Sequence, residues 1–418
     1  MIAYHFPPLA GSSGIQRTLR FAQHLPKFGW EPLVLTAHPR AYERTSDDLM
    51  ADVPPGVIVR RAFALDTARH LSVGGRYMAA MARPDRWMSW KFGAVREGMR
   101  MIREFAPQAI WSTYPIATAH AIGAALQKRS GLPWIADFRD PMVQDGYPAD
   151  PLVRKSFQQI EKETFSSASA STFTTPSAAR TYRERFPASA GSIEVLENGY
   201  DEETFAQVEA AAGLPAGDRA REVVLLHSGI VYPSERDPTQ LFEALGQLGS
   251  SGRIAPGMLK IRFRAAVHDG FLRDLAARYG VNKFIECLPP IPYREALSEM
   301  LAADGLLVMQ ASNCNEQIPA KIYEYLRSKR PILALTDPHG DTAAVLRQAG
   351  IADIVRLDSV SEIQERLPSF TETIRQNSYT LPSQQAVKSA SREGRTAQLA
   401  GLLDSLMAGR NRTAGTGG

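Results

Sequence analysis

Twelve short apolar runs, each bounded by Gly, Pro, Ser or Asp and separated by longer stretches of helical period, constrain this chain more than any other feature. In the first half they are Glu31–Thr36, Val57–Phe63, Ala109–Thr113, Trp134–Phe138, Ser171–Thr175 and Ile193–Glu197. The pattern restarts with Glu222–Ser228, Lys260–Ala265, Lys283–Leu288, Asp304–Gln310, Pro331–Leu335 and Ala352–Leu357. Strands that are apolar along their whole length need cover on both faces, and the intervening helical segments supply it. The expected class is therefore α/β, with two doubly wound, Rossmann-like domains in series. A length of 418 residues agrees, being too great for one ordinary core.

The join is expected within Asp201–Arg221, which is rich in Ala, Gly, Asp and Glu and has no strand pattern. That makes residues 1–205 the first domain and 206–385 the second. Leu399, Leu402, Leu403 and Leu406 stripe a closing helix over residues 386–408, and residues 409–418 read as a frayed tail. Only Met1–Phe6 precede Pro7-Pro8, which is short for the first central strand of such a sheet.

Composition excludes several classes. Hydrophobic residues make up 44% and charged ones 22%, as in a folded globular protein. The net charge of +4 is too mild for a nucleic-acid binder, so no nucleic-acid partner is expected. Cys287 and Cys314 have neither metal-ligand spacing nor the numbers of a disulfide scaffold, which fits a reduced, cytoplasmic protein with a buried Cys287. No apolar stretch reaches the roughly 18 residues of a membrane span, and no secretory signal opens the chain.

Open α/β sheets bind ligands beyond the carboxyl ends of their strands, so four loops are candidates. In the first, His5–Leu25, Gly11 and Gly14 flank Ser12 and Ser13 just before a helix, an arrangement that suits an anion as well as a plain turn. It is not the G-x-G-x-x-G of a dinucleotide fold, and no acid ends the second strand to hold a ribose, which counts against a dehydrogenase. In the second, Trp134–Pro141, a buried strand ends in Asp137, Arg139 and Asp140. These charges either close the loop as an internal ion pair or act on substrate. In the third, His227–Leu245, Gly229 follows a strand and Arg236 precedes a helix, a placement fit for a diphosphate or for an ordinary surface arginine.

The fourth loop is NCNEQIPAKIYEYLRSKRPILAL, Asn313–Leu335, where Glu316 and Glu324 stand eight positions apart. Pro319 should take the first position of a helix, leaving Glu316 in the loop and placing Glu324 about one and a half turns inside. Lys321 then lies on the same side as Glu324, one turn earlier. A sugar nucleotide fits that spread: one carboxylate for sugar hydroxyls, a cation for phosphate, a second carboxylate for the ribose. A solvated helix carrying a Lys–Glu pair is the plain alternative.

These residues resemble the family-four retaining glycosyltransferases of the GT-B fold, over nearly the whole chain. The proline-glycine loop with Gly11 and Gly14, the Asn-Gly-x-Asp turn of Asn198, Gly199 and Asp201, the Ala303-Asp304 strand start and the Glu316…Glu324 pair all carry the resemblance. The run around Pro319, Lys321, Glu324, Tyr325 and Leu326, together with DFRDP, is similar to a bacterial polysaccharide-biosynthesis branch. Two departures stand out: Gln317-Ile318-Pro319 brings the proline two residues closer to Glu316 than in the common pattern, and Arg139 stands where many relatives have His.

The resemblance implies two domains facing each other across a cleft, with the closing helix crossing back to the first. It implies transfer of a hexose-type sugar from a nucleotide diphosphate to a glycan or lipid-linked acceptor, with retention at the anomeric carbon. Glu324 would hold the ribose, Arg236 and Lys321 the diphosphate beside Gly229, and Glu316 the sugar. Arg139 and Asp140 would act on the acceptor side, and the loop Gly11, Ser12, Ser13 and Gly14 would close over the phosphates. Fixed cations and backbone N–H groups stabilise a leaving diphosphate, and no Asp-x-Asp motif is evident, so neither metal nor cofactor is expected. Within Arg83–Phe105, Trp87, Trp90 and Phe92 interleave with basic residues, a composition that suits either the inner-membrane surface or packing on the sheet. A sugar-nucleotide epimerase of the same fold and a non-catalytic nucleotide-sugar binder remain rival readings.

Overall fold

The computed structural model describes residues 1–12, 14–211 and 222–415, the last six by their backbone alone. The chain divides into two compact units, one of Met1–Asn198 with Arg392–Gly418 and the other of Gly199–Ser391. The division falls after Asn198 rather than after residue 205. Glu202–Ala211 is a helix of the second unit, and the rest of the expected join, residues 212–221, lies outside the described residues.

Each expected strand is present, within a few residues of its sequence limits. The first unit holds β1 (Leu33–Ala37), β2 (Ile58–Ala62), β3 (Ile110–Thr113), β4 (Trp134–Arg139), β5 (Ala170–Phe173) and β6 (Ile193–Val195). The second holds β7 (Val223–Ser228), β8 (Leu259–Arg264), β9 (Ile285–Leu288), β10 (Gly305–Gln310), β11 (Ile332–Thr336) and β12 (Ile354–Val355). All named pairings are parallel. The core strands are buried along their length, as β10 and β11 illustrate, because helices cover both faces.

In the first unit the opening residues act as the missing central strand. Ile2 bridges Leu35 of β1 on one side and Ser112 of β3 on the other, with Ile2 N donating to Trp111 O at 2.7 Å. The sheet therefore reads β2, β1, opening strand, β3, β4, β5, β6. Chain order reverses between the opening strand and β3. In the second unit the order is β12, β11, β10, β7, β8, β9, and the reversal falls between β7 and β10. Strand ends at such reversals leave a crevice with no crossover helix above it, the usual place for a ligand in this class of sheet.

The closing helix Arg392–Gly415 belongs to the first unit and runs through much of the expected tail. Its Leu399 and Leu403 pack with Phe21, Leu25 and Trp111, and Leu402 and Leu406 lie at the edge of that cluster. Lys27 pairs with Glu393 at 2.6 Å, and Trp30 Nε1 donates to Asp404 at 2.9 Å. Arg395 donates to Asn198 O at 3.1 Å and pairs with Glu197, which ties the helix to the chain just before the unit boundary.

One ion pair organises the carboxyl edge of the first sheet. Asp137 has no exposed surface and accepts from Arg17 Nε and Nη2, both at 2.8 Å, from Thr113 Oγ1 at 2.8 Å and from Thr172 Oγ1 at 2.7 Å. Burial alone would push its carboxyl up, but the Arg17 charge and these hydrogen bonds hold it below the usual carboxylate range. Arg17 continues to Leu196 O and Glu197 O, so it also fixes the chain after β6. Arg17→Met should strand this carboxylate and lower the first unit's stability by about 3–5 kcal/mol. All five tryptophans, Trp30, Trp87, Trp90, Trp111 and Trp134, lie in that unit, so a lower midpoint in tryptophan-monitored urea unfolding checks it directly.

Candidate functional site

The loop after the opening strand of the first unit runs to the helix Gly14–His24. Gly11 takes φ +80°, in the left-handed region that favours glycine. Gly14 has a different reason to be glycine: a Cβ there would collide with the His5 ring and come within 3.0 Å of Arg139 Nη1. His5 and Arg139 therefore crowd the start of this helix. Ser12 Oγ lies 3.1 Å from His5 Nδ1 and accepts from Gly14 N at 3.3 Å. Burial and the Arg139 charge lower His5 to about 4, so at neutral pH its ring is uncharged. Ser13 lies outside the described residues.

Arg139 ends β4 with φ +62°, an unusual conformation for a side chain with a Cβ, and the pairing with β5 slips a register between Asp137 and Arg139. The slip aims the guanidinium at the loop: Nη1 lies 3.4 Å from Tyr114 O, and Nε is buried with no partner among the described residues. The acid two residues before it, Asp137, is occupied by Arg17 instead. Asp140 is exposed and accepts from Thr174 Oγ1 at 3.2 Å. Of the charges in this run, Asp137 is thus the internal ion pair, and Arg139 is the group left over. A cavity of about 260 Å³ adjoins the loop, lined among others by Tyr4, His5, Gly11, Ser12, Glu43 and Trp87.

The second unit gathers a different set at the reversal between β7 and β10. Its two loops are laced together: Ala311 N donates to Glu235 O at 2.7 Å and Asn313 Nδ2 to Ser234 O at 2.8 Å. Tyr325 Oη, buried under β7, accepts from Ser228 N at 3.0 Å. His227 has no exposed surface; its Nδ1 faces Leu307 O at 3.0 Å, so that nitrogen carries the hydrogen. Nε2 is then an acceptor, and Lys321 Nζ donates to it at 3.3 Å. Burial and the Lys321 charge hold His227 well below its ordinary value, consistent with this neutral tautomer.

Lys321 is the other partner in this contact. Burial first, and then the Arg236 charge, lower its pKa to about 7, while Glu324 opposes the shift. Gly229, at φ +115°, passes so close that a Cβ would sit 3.1 Å from the ammonium. Arg236 Nη1 donates to Ile230 O at 3.0 Å, and its Nε is buried without a partner among the described residues. Two cations thus share one strand end and repel each other. That geometry favours an anion with several oxygens, which relieves both.

Sequence expectation needs two corrections here. The helix is Lys321–Arg327, so Pro319 stands ahead of it rather than at its first position, and Ile322 N reaches back to Pro319 O at 3.0 Å. Glu324 accordingly lies in the first turn, where Tyr293 Oη donates to its Oε1 at 2.7 Å. Glu316 lies exposed in the loop, and among the described residues its carboxylate makes no hydrogen bond or ion pair. Gly229, Arg236, Lys321 and Glu324 come together, whereas Glu316 makes no contact that joins it to them. His227, Tyr293 and Tyr325 are given no role by the sequence pattern because their partners lie 80, 31 and 97 residues away, and His5 lies against both nearby Ser12 and distant Arg139. Cys314 is buried and Cys287 only half-buried, both as free thiols.

Residues 13–199 match the family model described as a glycosyl transferase 4-like domain. Among curated proteins no match is found. Solved structures match across the whole length. Sucrose-phosphate synthase from Thermosynechococcus elongatus superposes with a TM-score of 0.60 at 15% identity, covering 98% of this chain and 99% of its own. HepE from Anabaena, in complex with UDP and glucose, gives 0.59 at 14% identity, with 97% and 99% covered. The α,α-trehalose 6-phosphate synthase from Burkholderia multivorans gives 0.61 at 12% identity, with 99% and 97% covered. At such identities these likenesses establish the GT-B fold, that of two Rossmann-like domains. The chain thus carries a glycosyl transferase 4-like domain over residues 13–199 and has the GT-B fold throughout.

Proposed function

We propose that the protein transfers a hexose-type sugar from a nucleotide diphosphate donor to a glycan or lipid-linked acceptor in polysaccharide biosynthesis, with retention of anomeric configuration. The observation that carries this reading is the meeting of Lys321 and Arg236 beside Gly229. In the reaction the bond between anomeric carbon and diphosphate oxygen breaks, with its electron pair leaving on the diphosphate. The acceptor hydroxyl oxygen forms its bond on the same face, and its proton passes to the departing diphosphate oxygen. Charge therefore grows on the diphosphate, and two fixed cations in a poorly hydrated site stabilise that charge more than they stabilise the ground state.

Glu324 takes the ribose hydroxyls in this reading, replacing the Tyr293 hydroxyl that occupies one of its oxygens. Glu316 takes the sugar; with no hydrogen bond or ion pair among the described residues, both its oxygens would serve hydroxyl groups. In the first unit, Arg139 and Asp140 serve the acceptor, whose ring would use the cavity beside Tyr4 and Trp87. Gly11, Ser12, Ser13 and Gly14 are proposed as donor contacts on the pattern of the family. The cations present leave no need for a metal, and metal-independent turnover is part of the proposal. HepE's complex with UDP and glucose makes a uridine donor the first to try.

Three outcomes test the assignment. In a thermal-shift panel of nucleotide sugars, a UDP or GDP compound should raise the melting temperature, and Glu324→Ala should abolish that response while leaving the unliganded melt in place. A diphosphate should restore the ordinary pKa of Lys321, so binding near about pH 8 takes up close to one proton, and near about pH 6 almost none. Calorimetry in buffers of differing ionisation enthalpy reads this uptake, which Lys321→Met should erase. Finally, Arg139→Gly removes a strained conformation worth about 1–3 kcal/mol together with the guanidinium. Its melting temperature should hold or rise, while kcat/KM falls roughly a hundredfold; a loss of both would make Arg139 a folding residue.

A further inference from the structure

Val73, Tyr77, Met78 and Met81, four exposed large apolar residues of the first unit, share one loop, and that loop is held at its base. Asp66, which has no exposed surface, accepts from Ala68 N at 3.0 Å and lies 3.1 Å from Arg86 Nη2. Thr67 Oγ1 reaches Met81 O and Arg86 O, both at 2.9 Å. Between these anchors Val73 and Arg76 close a two-residue turn, Val73 N to Arg76 O at 2.8 Å and Arg76 N to Val73 O at 3.1 Å. Gly74 and Gly75 take φ +59° and +75°, which that turn requires of both central residues.

Residues 73–81 are all exposed, and the large apolar ones are presented rather than hidden. Val73 is 87% exposed and Met78 71%, with Tyr77 at 41% and Met81 at 39%. Arg69, Arg76 and Arg83 are the formal charges from Thr67 to Pro84, and no carboxylate occurs between Asp66 and Asp85. Both of those acids are engaged below the loop, Asp66 as above and Asp85 with Thr118 N at 2.8 Å and Oγ1 at 2.9 Å. An apolar tip with a wholly cationic flank complements an anionic bilayer, whereas against a second copy of itself it would meet like charge.

We propose that residues 71–83 form a membrane-docking loop, with Val73, Tyr77, Met78 and Met81 entering the interface and Arg76 and Arg83 meeting anionic headgroups. This loop takes precedence over the tryptophan-bearing helix as the docking element: Phe92 there is 70% exposed, but Trp90 has no exposed surface and Trp87 packs against Tyr4 with ring centroids 4.7 Å apart. No helix among the described residues is long and apolar enough to cross a membrane, so the loop would act by surface attachment. The inference deepens the reading of a lipid-linked acceptor, and its test is independent of sugar transfer.

The test is flotation of the full chain with vesicles of phosphatidylcholine alone or mixed with phosphatidylglycerol. Binding to the mixed vesicles, weakened by added salt, is expected, with little binding to phosphatidylcholine alone. Val73→Asp combined with Met78→Asp should cut that binding roughly tenfold or more. The same variant should keep the wild-type melting temperature and the wild-type thermal shift with a nucleotide diphosphate, which separates docking from folding and from the donor site. Absence of flotation with anionic vesicles at low salt overturns the proposal, as does a variant that floats like wild type. A wild-type dimer that this variant converts to monomer also overturns it, assigning the loop to a second copy instead.

Discussion

The first unit depends on a carboxylate with no water to solvate it. Asp137 sits at the end of a central strand, where an unpaired charge would cost several kcal/mol. Its four hydrogen bonds come from β3, β5 and the first helix, and Arg17 extends the network to the backbone after β6. Such a network adds little net stability over an apolar replacement, but it admits only one arrangement of its members. The helix that begins at Gly14 cannot slide along the sheet without breaking it. The positions of Ser12, His5 and Arg139 around that helix start are consequences of this one buried pair.

In the second unit the charges are arranged the other way. Among the described residues no carboxylate is hydrogen-bonded or ion-paired to Lys321 or Arg236; a neutral His227, held in one tautomer by Leu307 O, is what the ammonium contacts instead. A lysine with a pKa near 7 beside an arginine is a folding liability. It persists because the laced loops after β7 and β10 over-determine its position. An incoming anion relieves the repulsion, so part of its binding energy comes from a cost already present in the free protein.

Much of the architecture was legible because parallel sheets impose an unusual signature: strands apolar on both faces read as continuous runs, and all of them appear where those runs occur. Glycines and charges at strand ends were legible for the same topological reason. What could not be read were relations across long sequence distances. The Asp137 partner is Arg17, not the neighbouring Arg139, and adjacency in sequence favours the wrong pairing. Gly14 reads as part of an anion-binding loop or a plain turn, whereas it is glycine because His5 and Arg139 fill the space of a Cβ. Pro319 suggests a helix starting at its own position, whereas the helix begins at Lys321, because helix starts are set by which backbone groups find partners rather than by proline alone. Trp90 shows the limit of composition: a basic, aromatic segment looks interfacial until packing puts the indole in the core.

The run from Asp137 to Asp140 shows how to separate scaffold charges from working ones. Asp137 is completely buried and completely bonded, so it has nothing left to offer a substrate. Arg139, two residues on, occupies a conformation that side chains rarely adopt and keeps a buried nitrogen without a partner among the described residues. A fold does not retain that combination for stability, since a glycine would relieve the backbone and a smaller side chain would remove the buried nitrogen. The same criterion selects Lys321 and Arg236 in the second unit and passes over Arg327, whose guanidinium is saturated by Glu202 and Glu209. On the proposed function, residual, unspent hydrogen-bonding capacity at a sheet's carboxyl edge, rather than charge as such, marks the groups that would meet a substrate.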